Sequence, residues 1–166
     1  MVPPHLAVEA VPVWADSGGM SGSDDFDYKA VFDHTPSLVF VVDPSFKIVA
    51  QNRAHAEATL STGKQIVGMH LFEAFPDNPA DSGAQGISEL RASLLRVLKT
   101  KQPDQMPIVR YDVQGERGPF QARWWQVVNT PILGDDGYVK WILHRAEDVT
   151  EIVELRQRLA EAFPKK

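Results

Sequence analysis

The strongest hydropathy pattern in the chain consists of two apolar runs between residues 123 and 148, joined by a Gly-Asp-Asp-Gly turn at 134–137. Gly and Asp tolerate the backbone angles that tight connections need, so the two runs predict a long antiparallel hairpin. Bulky side chains occur on both parities of the runs, as at Trp124 and Trp125. This pattern predicts that both faces of the hairpin are covered.

A helical pattern follows the hairpin directly. Asp148 or Thr150 is suited to cap a helix. Apolar side chains then recur at intervals of three and four residues, at Ile152, Leu155 and Leu159. The seam is shorter than two heptads, so we expect it to support a homodimer only together with a domain surface or an attached effector.

The rest of the chain predicts shorter elements in a definite order. These are a helix that ends before Pro36, strands at 37–43 and 46–51, a helix at 53–60 that Asn52 caps, an amphipathic helix at 87–101 and a strand at 106–113. With the hairpin they give five strands, and the helices lie between an N-terminal and a C-terminal group of strands. An antiparallel α+β sheet is the expected fold.

This order resembles the PAS domain, a sensory fold of bacterial signalling proteins, over roughly residues 26 to 151. The resemblance rests on an apolar strand that ends in Asp43-Pro44, on the helix led by Asn52, and on the segment from Leu71 to Pro76. The sequence Asp-Val-Thr-Glu at 148–151 is similar to the D-[VI]-T-E motif that closes many members. The resemblance implies a five-stranded antiparallel sheet with helices on one face, followed by a signalling helix.

The chain is accordingly expected to have three parts. Residues 1–25 are rich in Pro, Gly, Ser and Asp and predict a flexible tail. Residues 26–149 would form the sensory domain, and residues 150–166 a C-terminal amphipathic linker helix. The resemblance makes Asp148, Thr150 and Glu151 the junction that passes a signal to that helix.

Composition excludes several classes of function. The chain has 166 residues and 43% hydrophobic content, which suits one packed domain. A net charge of −5 without a basic stripe argues against a nucleic-acid partner. The absence of cysteine excludes disulfides, thiolate metal sites and cysteinyl-flavin photochemistry. No signal peptide or long apolar run is visible, so the sequence predicts a cytoplasmic protein without a membrane partner.

No catalytic pattern stands out in the sequence. It lacks a nucleophile elbow, a phosphate-binding Gly-Lys loop and a His-Glu-x-x-His helix, so a non-enzyme is expected. Asp77, Asn78 and Asp81 do not have the spacing of a calcium loop. Turn and helix-cap roles are the preferred interpretation for these three residues, and no metal site is predicted.

The resemblance also indicates where a ligand would bind. In PAS domains the position two residues before the motif aspartate, here Ala146, faces the ligand cavity, and strand alternation then places His144 inside. Asn129 would face His144 if the neighbouring strand is aligned through Pro131. These polar groups could bond each other, a ligand, the backbone or water, because an unpaired buried polar group costs about 1–3 kcal/mol. The candidate cavity residues are Phe40, Val42, Phe72, Leu94, Leu98, Tyr111, Trp125, Val127, Asn129, Ile142, His144 and Ala146.

The remaining histidines are weaker candidates. His34 is expected to face solvent, and His55, on a short helix, is interpreted as a surface residue. Leu71 stands where flavin-binding LOV photoreceptors place their reactive cysteine, so the resemblance disfavours flavin photochemistry. Haem is also disfavoured, because residues 88–101 lack the histidine that oxygen-sensing relatives carry on this helix, although His70 remains an alternative ligand. The cofactor, if there is one, is unknown.

Two functional hypotheses follow. The first is a sensor that binds a small molecule in its core and signals to an effector such as a histidine kinase, in the same chain or separate, as in two-component systems. The second is a ligand-free interaction module that dimerises a signalling protein. Large aromatic side chains favour the second hypothesis by occupying the core, namely Phe40, Phe72 and Trp125. A haem-based gas or redox sensor is a further hypothesis, which the sequence disfavours.

Overall fold

The computed structural model describes residues 26–62, 64–81, 83–115 and 118–163. The tail predicted at 1–25 lies outside these ranges, as do the last three residues of the predicted linker helix. The elements are α1 (Tyr28–His34), β1 (Leu38–Val42), β2 (Ile48–Gln51), α2 (Arg53–Ala58), α3 (Leu71–Ala74), α4 (Gly86–Thr100), β3 (Asp104–Gln105), β4 (Val109–Arg110), β5 (Trp124–Leu133), β6 (Val139–Asp148) and α5 (Thr150–Ala162).

The strands form one antiparallel sheet in the order β2-β1-β6-β5-β3, and β4 also pairs with β5. This arrangement confirms the predicted α+β fold with its C-terminal helix. The β5–β6 hairpin pairs Pro131 with Ile142 and Asn129 with His144, as the alignment through Pro131 requires. Its turn uses Gly137 at a φ of 72°, an angle that a glycine adopts without steric cost.

Of the strand predicted at 106–113, the structure has only β4 (Val109–Arg110), and β3 (Asp104–Gln105) lies before the predicted range. Pro107 lies between the two and has no N–H group to donate to the sheet, which explains the interruption. Beyond β4 the pairing continues only through single contacts, such as the bridge between Val113 and Gln121. The described part of the chain therefore forms a sheet of six strands, some of them very short, instead of the five predicted.

Helices α2, α3 and α4 cover the inner face of the sheet. Leu94 and Val97 of α4 are fully buried, whereas Leu95, on the opposite side of the helix, is half exposed. Ile142 of β6 and Val42 of β1 are fully buried beneath them. A single apolar layer thus separates the sheet from the helices.

The outer face of the hairpin differs from the prediction. Trp141 is 37% exposed, so the turn end of this face is not covered by the described residues. At the other end, α5 lies beside Trp124, which forms a shallow groove with Val153 and Ala160. The expectation that both faces are covered is wrong for the turn end, because no helix packs against it in the part of the chain that the structure describes.

The predicted cap of α2 is present, α1 has a side-chain cap as well, and the cap of α5 differs from the prediction. Asp27 caps α1 by accepting from Ala30 N at 2.9 Å, and Asn52 caps α2 by accepting from His55 N at 3.0 Å. Helix α5 instead has Val149 at its cap position, and the Asp148 side chain accepts from Thr150 N. No helix within the described residues is long and apolar enough to span a membrane.

Candidate functional site

A cavity of about 70 Å³ lies between the sheet and helices α2, α3 and α4. Its wall is apolar apart from a few side chains, and two of these are the imidazoles of His55 and His144. Seven of the sequence-predicted residues line it, namely Phe40, Phe72, Tyr111, Trp125, Val127, His144 and Ala146. Strands β1, β5 and β6 supply five of these residues, whereas Phe72 belongs to α3 and Tyr111 follows β4.

The other predicted cavity residues lie outside the wall. Val42, Leu94 and Ile142 are fully buried in the apolar cluster beside the cavity, and Leu98 packs against that cluster. Phe46 and Ile48 occupy the space between them, so these inward-facing positions meet other side chains instead of open volume. Asn129 is fully buried behind His144.

His144 is the inner end of a hydrogen-bonded chain that leads to the protein surface. Its Nδ1 atom lies 2.8 Å from Asn129 Oδ1, and Asn129 Nδ2 donates to Ser93 Oγ at 2.7 Å. Ser93 Oγ donates to Asp104 Oδ2 at 2.6 Å. Arg96 donates two hydrogen bonds to the Asp104 carboxylate, which is the outer end of the chain.

The direction of each bond in this chain follows from the carboxylate. The bonds from Arg96 and Ser93 hold the pKa of Asp104 below its usual range, so this group is ionised and only accepts. Ser93 must therefore donate to Asp104 and accept from the Asn129 amide. The Asn129 oxygen then faces His144, which must carry its proton on Nδ1. Burial lowers the pKa of His144 well below its ordinary value, so the ring is neutral and Nε2 has a free lone pair.

His55 is the second polar side chain of the cavity, and its placement contradicts the surface interpretation. It is 3% exposed, and burial lowers its pKa from the ordinary 6.5 to about 4. A sequence signal for this position exists, because the polar residues Asn52, His55 and Thr59 follow helical spacing and all three are buried. Polar residues at such intervals usually form the solvent-facing side of a helix, so the spacing favours a surface position, which is wrong for His55.

A second chain of hydrogen bonds fixes the tautomer of His55. The Thr59 hydroxyl donates to the His55 carbonyl at 2.8 Å, so Thr59 Oγ1 accepts from Ser61 Oγ at 2.9 Å. Ser61 Oγ in turn accepts from Gln51 Nε2, and the same amide nitrogen donates to His55 Nδ1 at 2.8 Å. The neutral ring of His55 therefore carries its proton on Nε2.

Phe40 holds the two imidazoles in place. Its ring stacks on His144 with centroids 4.1 Å apart and meets His55 edge to face at 5.1 Å. The centroids of the two imidazoles are 6.3 Å apart, and the rings are almost perpendicular. The aromatic contacts thus orient both rings toward one end of the cavity.

Loop residues 76–81 and 83–85 lie next to the cavity and are attached to β4 and to Tyr111 and Asp112, which follow β4. The Tyr111 hydroxyl donates to the Pro76 carbonyl at 2.9 Å, and Asn78 Nδ2 donates to Asp112 at 2.8 Å. Arg110 forms ion pairs with Asp112 and with Asp81. Burial, with help from nearby carboxylates, raises the pKa of Tyr111, which keeps this hydroxyl protonated as a donor.

The polar residues of this loop have the turn and cap roles predicted for them. Asp77 accepts from Ile87 N near the start of α4, and Asn78 Oδ1 accepts from Ala80 N. Asp81 accepts from Gly83 N. The described residues contain no group of three or more His, Asp or Glu side chains placed to hold a metal ion.

His70 has a local structural role. It occupies the cap position of α3, where its Nδ1 accepts from Phe72 N at 3.4 Å. Its side chain is not part of the cavity wall, whereas the adjacent Leu71 is. The alternative haem ligand predicted from the sequence therefore does not line the cavity.

The junction between β6 and α5 is tied to the start of β5. Thr150 Oγ1 accepts from Trp124 N at 2.9 Å and donates to Asp148 Oδ1, while Val149 N donates to Trp124 O at 2.8 Å. Arg123 lies 3.7 Å from the Asp148 carboxylate. Glu151 is exposed on the first turn of α5. Two of the three predicted junction residues therefore hold the helix against the sheet.

The apolar seam of α5 is open to solvent. Ile152, Leu155 and Leu159 are each about half exposed, at 50%, 51% and 51%. Val153, on another side of the helix, contacts the groove beside Trp124. The seam is thus left free for an interaction outside the described residues.

Comparisons with known proteins agree on one fold. A family model described as PAS fold matches residues 32–154. The PAS domain of a protein from Colwellia psychrerythraea has a TM-score of 0.58 at 15% identity, over 74% of this chain and 94% of that one. The PAS domain of Bordetella pertussis BvgS has a TM-score of 0.55 at 21% identity, over 80% and 91%.

A sensory box sensor histidine kinase from Vibrio cholerae has a TM-score of 0.50 at 17% identity, over 74% of this chain and 88% of that one. At these identities the three solved structures share the fold with this chain. No curated protein matches the sequence.

Proposed function

Because the chain belongs to the PAS fold family, we propose that it is a non-catalytic sensory module that binds a small molecule in its core cavity. The observation that carries the proposal is the pair of imidazoles in the cavity wall. His55 and His144 each use Nδ1 for an internal hydrogen bond, and neither Nε2 has a protein partner among the described residues. A ligand would supply the missing partner.

The free-energy cost of leaving the two buried Nε2 atoms without a hydrogen-bond partner supports this interpretation. A buried polar atom without a hydrogen bond costs about 1–3 kcal/mol, and purely structural positions avoid it by using apolar side chains. The described chain has no buried side-chain nitrogen or oxygen that lacks both a partner and access to open space. The two Nε2 atoms therefore border the cavity, where a bound molecule or water can reach them.

The route from the cavity to α5 is short. Trp125 and Ala146 line the cavity. Trp124 is the neighbour of Trp125 in the chain, and Asp148 pairs with Trp125 across the two strands. Both of these are hydrogen-bonded to Thr150, the first residue of α5. A ligand that binds better when these strand ends are closely paired would favour one position of the helix.

The proposed partner of α5 is a signalling effector. One of the similar structures is named as a sensor histidine kinase, and an effector of this type, in the same chain or separate, would receive the signal through the helix. This would place the module in a two-component system. The exposed seam at Ile152, Leu155 and Leu159 would pair with a second copy, so the working unit would be a homodimer.

A ligand-free dimerisation module is the second candidate. The observation that favours it is the small size of the cavity, because Phe40, Phe72 and Trp125 fill much of the space between sheet and helices. In this case the imidazoles would be hydrated, and the exposed seam of α5 would be the functional surface.

Native mass spectrometry combined with an absorption spectrum of the freshly purified protein separates the two candidates. A co-purifying small molecule that is lost in His144→Phe supports sensing. Protein of the calculated mass only, with no change in α5 hydrogen exchange when cell extract metabolites are added, contradicts the sensory proposal and leaves the dimerisation module.

A further inference from the structure

The two cavity imidazoles present opposite hydrogen-bonding groups. The chain that ends at Asp104 leaves His144 Nε2 as an acceptor, and the chain through Gln51 leaves His55 Nε2–H as a donor. The protein fixes both tautomers with its own side chains before any ligand arrives. The cavity therefore offers one donor and one acceptor in a defined arrangement.

The two rings lie close enough for one small ligand to reach both. Their centroids are 6.3 Å apart, and each Nε2 lies on the edge of its ring. A hydroxyl oxygen that makes two hydrogen bonds of about 2.8 Å spans roughly 5 Å between its partners. A hydroxyl group is also able to donate and accept at once, which a carbonyl or an ether oxygen cannot do.

The other residues of the cavity wall restrict the charge and the size of the ligand. No Asp, Glu, Lys or Arg side chain lines the cavity among the residues that the structure describes. A charged ligand would bury its charge without a counter-ion, which is strongly unfavourable. The volume of about 70 Å³ is roughly half that of a cavity that accommodates benzene.

We propose that His55 and His144 form a donor–acceptor pair that selects a small neutral alcohol, whose oxygen accepts from His55 Nε2–H and whose proton is donated to His144 Nε2. This inference rests on the proposed function, since it names the ligand class of the same cavity. The apolar wall holds the short carbon skeleton, and Phe40 packs against both rings.

The test uses 2-propanol and acetone as matched probes with four heavy atoms each. Both accept from His55, but only 2-propanol donates to His144. Proton–nitrogen correlation spectra of the histidine rings should show the free protein with His144 protonated at Nδ1 and His55 at Nε2. On titration, 2-propanol should shift both Nε2 signals and bind about five-fold more tightly than acetone, the effect of about one net hydrogen bond.

A variant pair completes the test. His55→Phe keeps an aromatic ring and should weaken both probes several-fold, whereas His34→Phe, at an exposed site on α1, should change neither. Equal affinity of the two probes, or the opposite tautomer at either ring, would overturn the alcohol pairing while leaving a cavity that binds small molecules. If neither probe perturbs any cavity signal, the cavity does not admit ligands and the proposed function fails as well. The wild-type spectra decide these points even if His55→Phe does not fold.

Discussion

The side chains of His144 and Asn129, on neighbouring strands, are hydrogen-bonded to each other through Nδ1 and Oδ1 at 2.8 Å. Asn129 is fully buried and makes its other strong bond to Ser93 on α4. The pair thus connects the cavity wall, the centre of the sheet and the longest helix. The contribution of this pair to the stability of the protein can be measured directly.

Replacement of Asn129 tests how much the pair contributes to stability. Asn129→Ala removes the partners of both His144 Nδ1–H and Ser93, so the free energy of unfolding should decrease by about 1–3 kcal/mol. Urea denaturation monitored by tryptophan fluorescence measures the change. Gln126→Ala, on the outer face of the same strand, is the control and should change stability by less than about 0.5 kcal/mol. Equal effects at the two positions would contradict a special role for the buried pair.

The two buried imidazoles predict a loss of stability in mild acid. Burial lowers the pKa of His55 to about 4 and that of His144 well below the ordinary value, so the unfolded chain binds their protons first as the pH falls. The stability that these groups contribute is fully present above pH 6.5 and decreases below it. For His55 alone the loss is about 3 kcal/mol and is complete near pH 4.

Denaturation midpoints measured between pH 7.5 and 4.5 check this prediction. The slope below pH 6 should approach two protons taken up on unfolding, and it should decrease to about one in His55→Phe. Gln126→Ala, which changes no titratable group, should retain the wild-type slope. A flat profile between pH 7 and 5 would show that the rings are not held neutral in the fold.

The junction with α5 can be tested at Thr150. Thr150→Val keeps the shape of the side chain but removes the acceptor for Trp124 N–H and the donor to Asp148. We expect faster hydrogen exchange of Trp124 N–H and of the first turn of α5, with a loss of about 1 kcal/mol in overall stability. Thr150→Ser retains the hydroxyl and should behave like the wild type. Unchanged exchange in the valine variant would argue that the helix is held by other contacts.

Self-association should depend on the exposed seam of α5. The double variant Leu155→Ser, Leu159→Ser removes two half-exposed apolar side chains and should weaken dimerisation at least ten-fold with little change in melting temperature. Sedimentation equilibrium measures the dissociation constant. Arg158→Ser, also exposed on α5, is the matched control. A monomeric wild-type protein at all concentrations would exclude the dimerising role of this helix.

The fold was predictable because its strongest signals are local and periodic. The resemblance to PAS domains predicted that Ala146 faces inward, strand alternation then placed His144 on the same face, and the register through Pro131 made Asn129 its partner. Alternation gives the face of a strand but not what fills the space above each residue. This is why Ile142, which has the same parity as His144, meets the packed cluster instead of the cavity.

The prediction of a surface position for His55 is wrong for a different physical reason. A polar residue on a short helix normally faces water, and its burial becomes favourable only with partners such as Gln51, Ser61 and Thr59. Those partners come from a strand end and a turn whose meeting point depends on tertiary structure. Periodicity alone carried no information about that convergence.

Asp104 gives all hydrogen bonds in the chain from His144 the same donor-to-acceptor direction. Every bond in it points outward, since the carboxylate at its end accepts and cannot donate. The free ring nitrogen in the cavity is consequently an acceptor because of a charge near the surface, beside Arg96. A neutral side chain at position 104 would permit the whole chain to reverse, so the chemical preference of the interior is encoded at a site that no bound molecule touches.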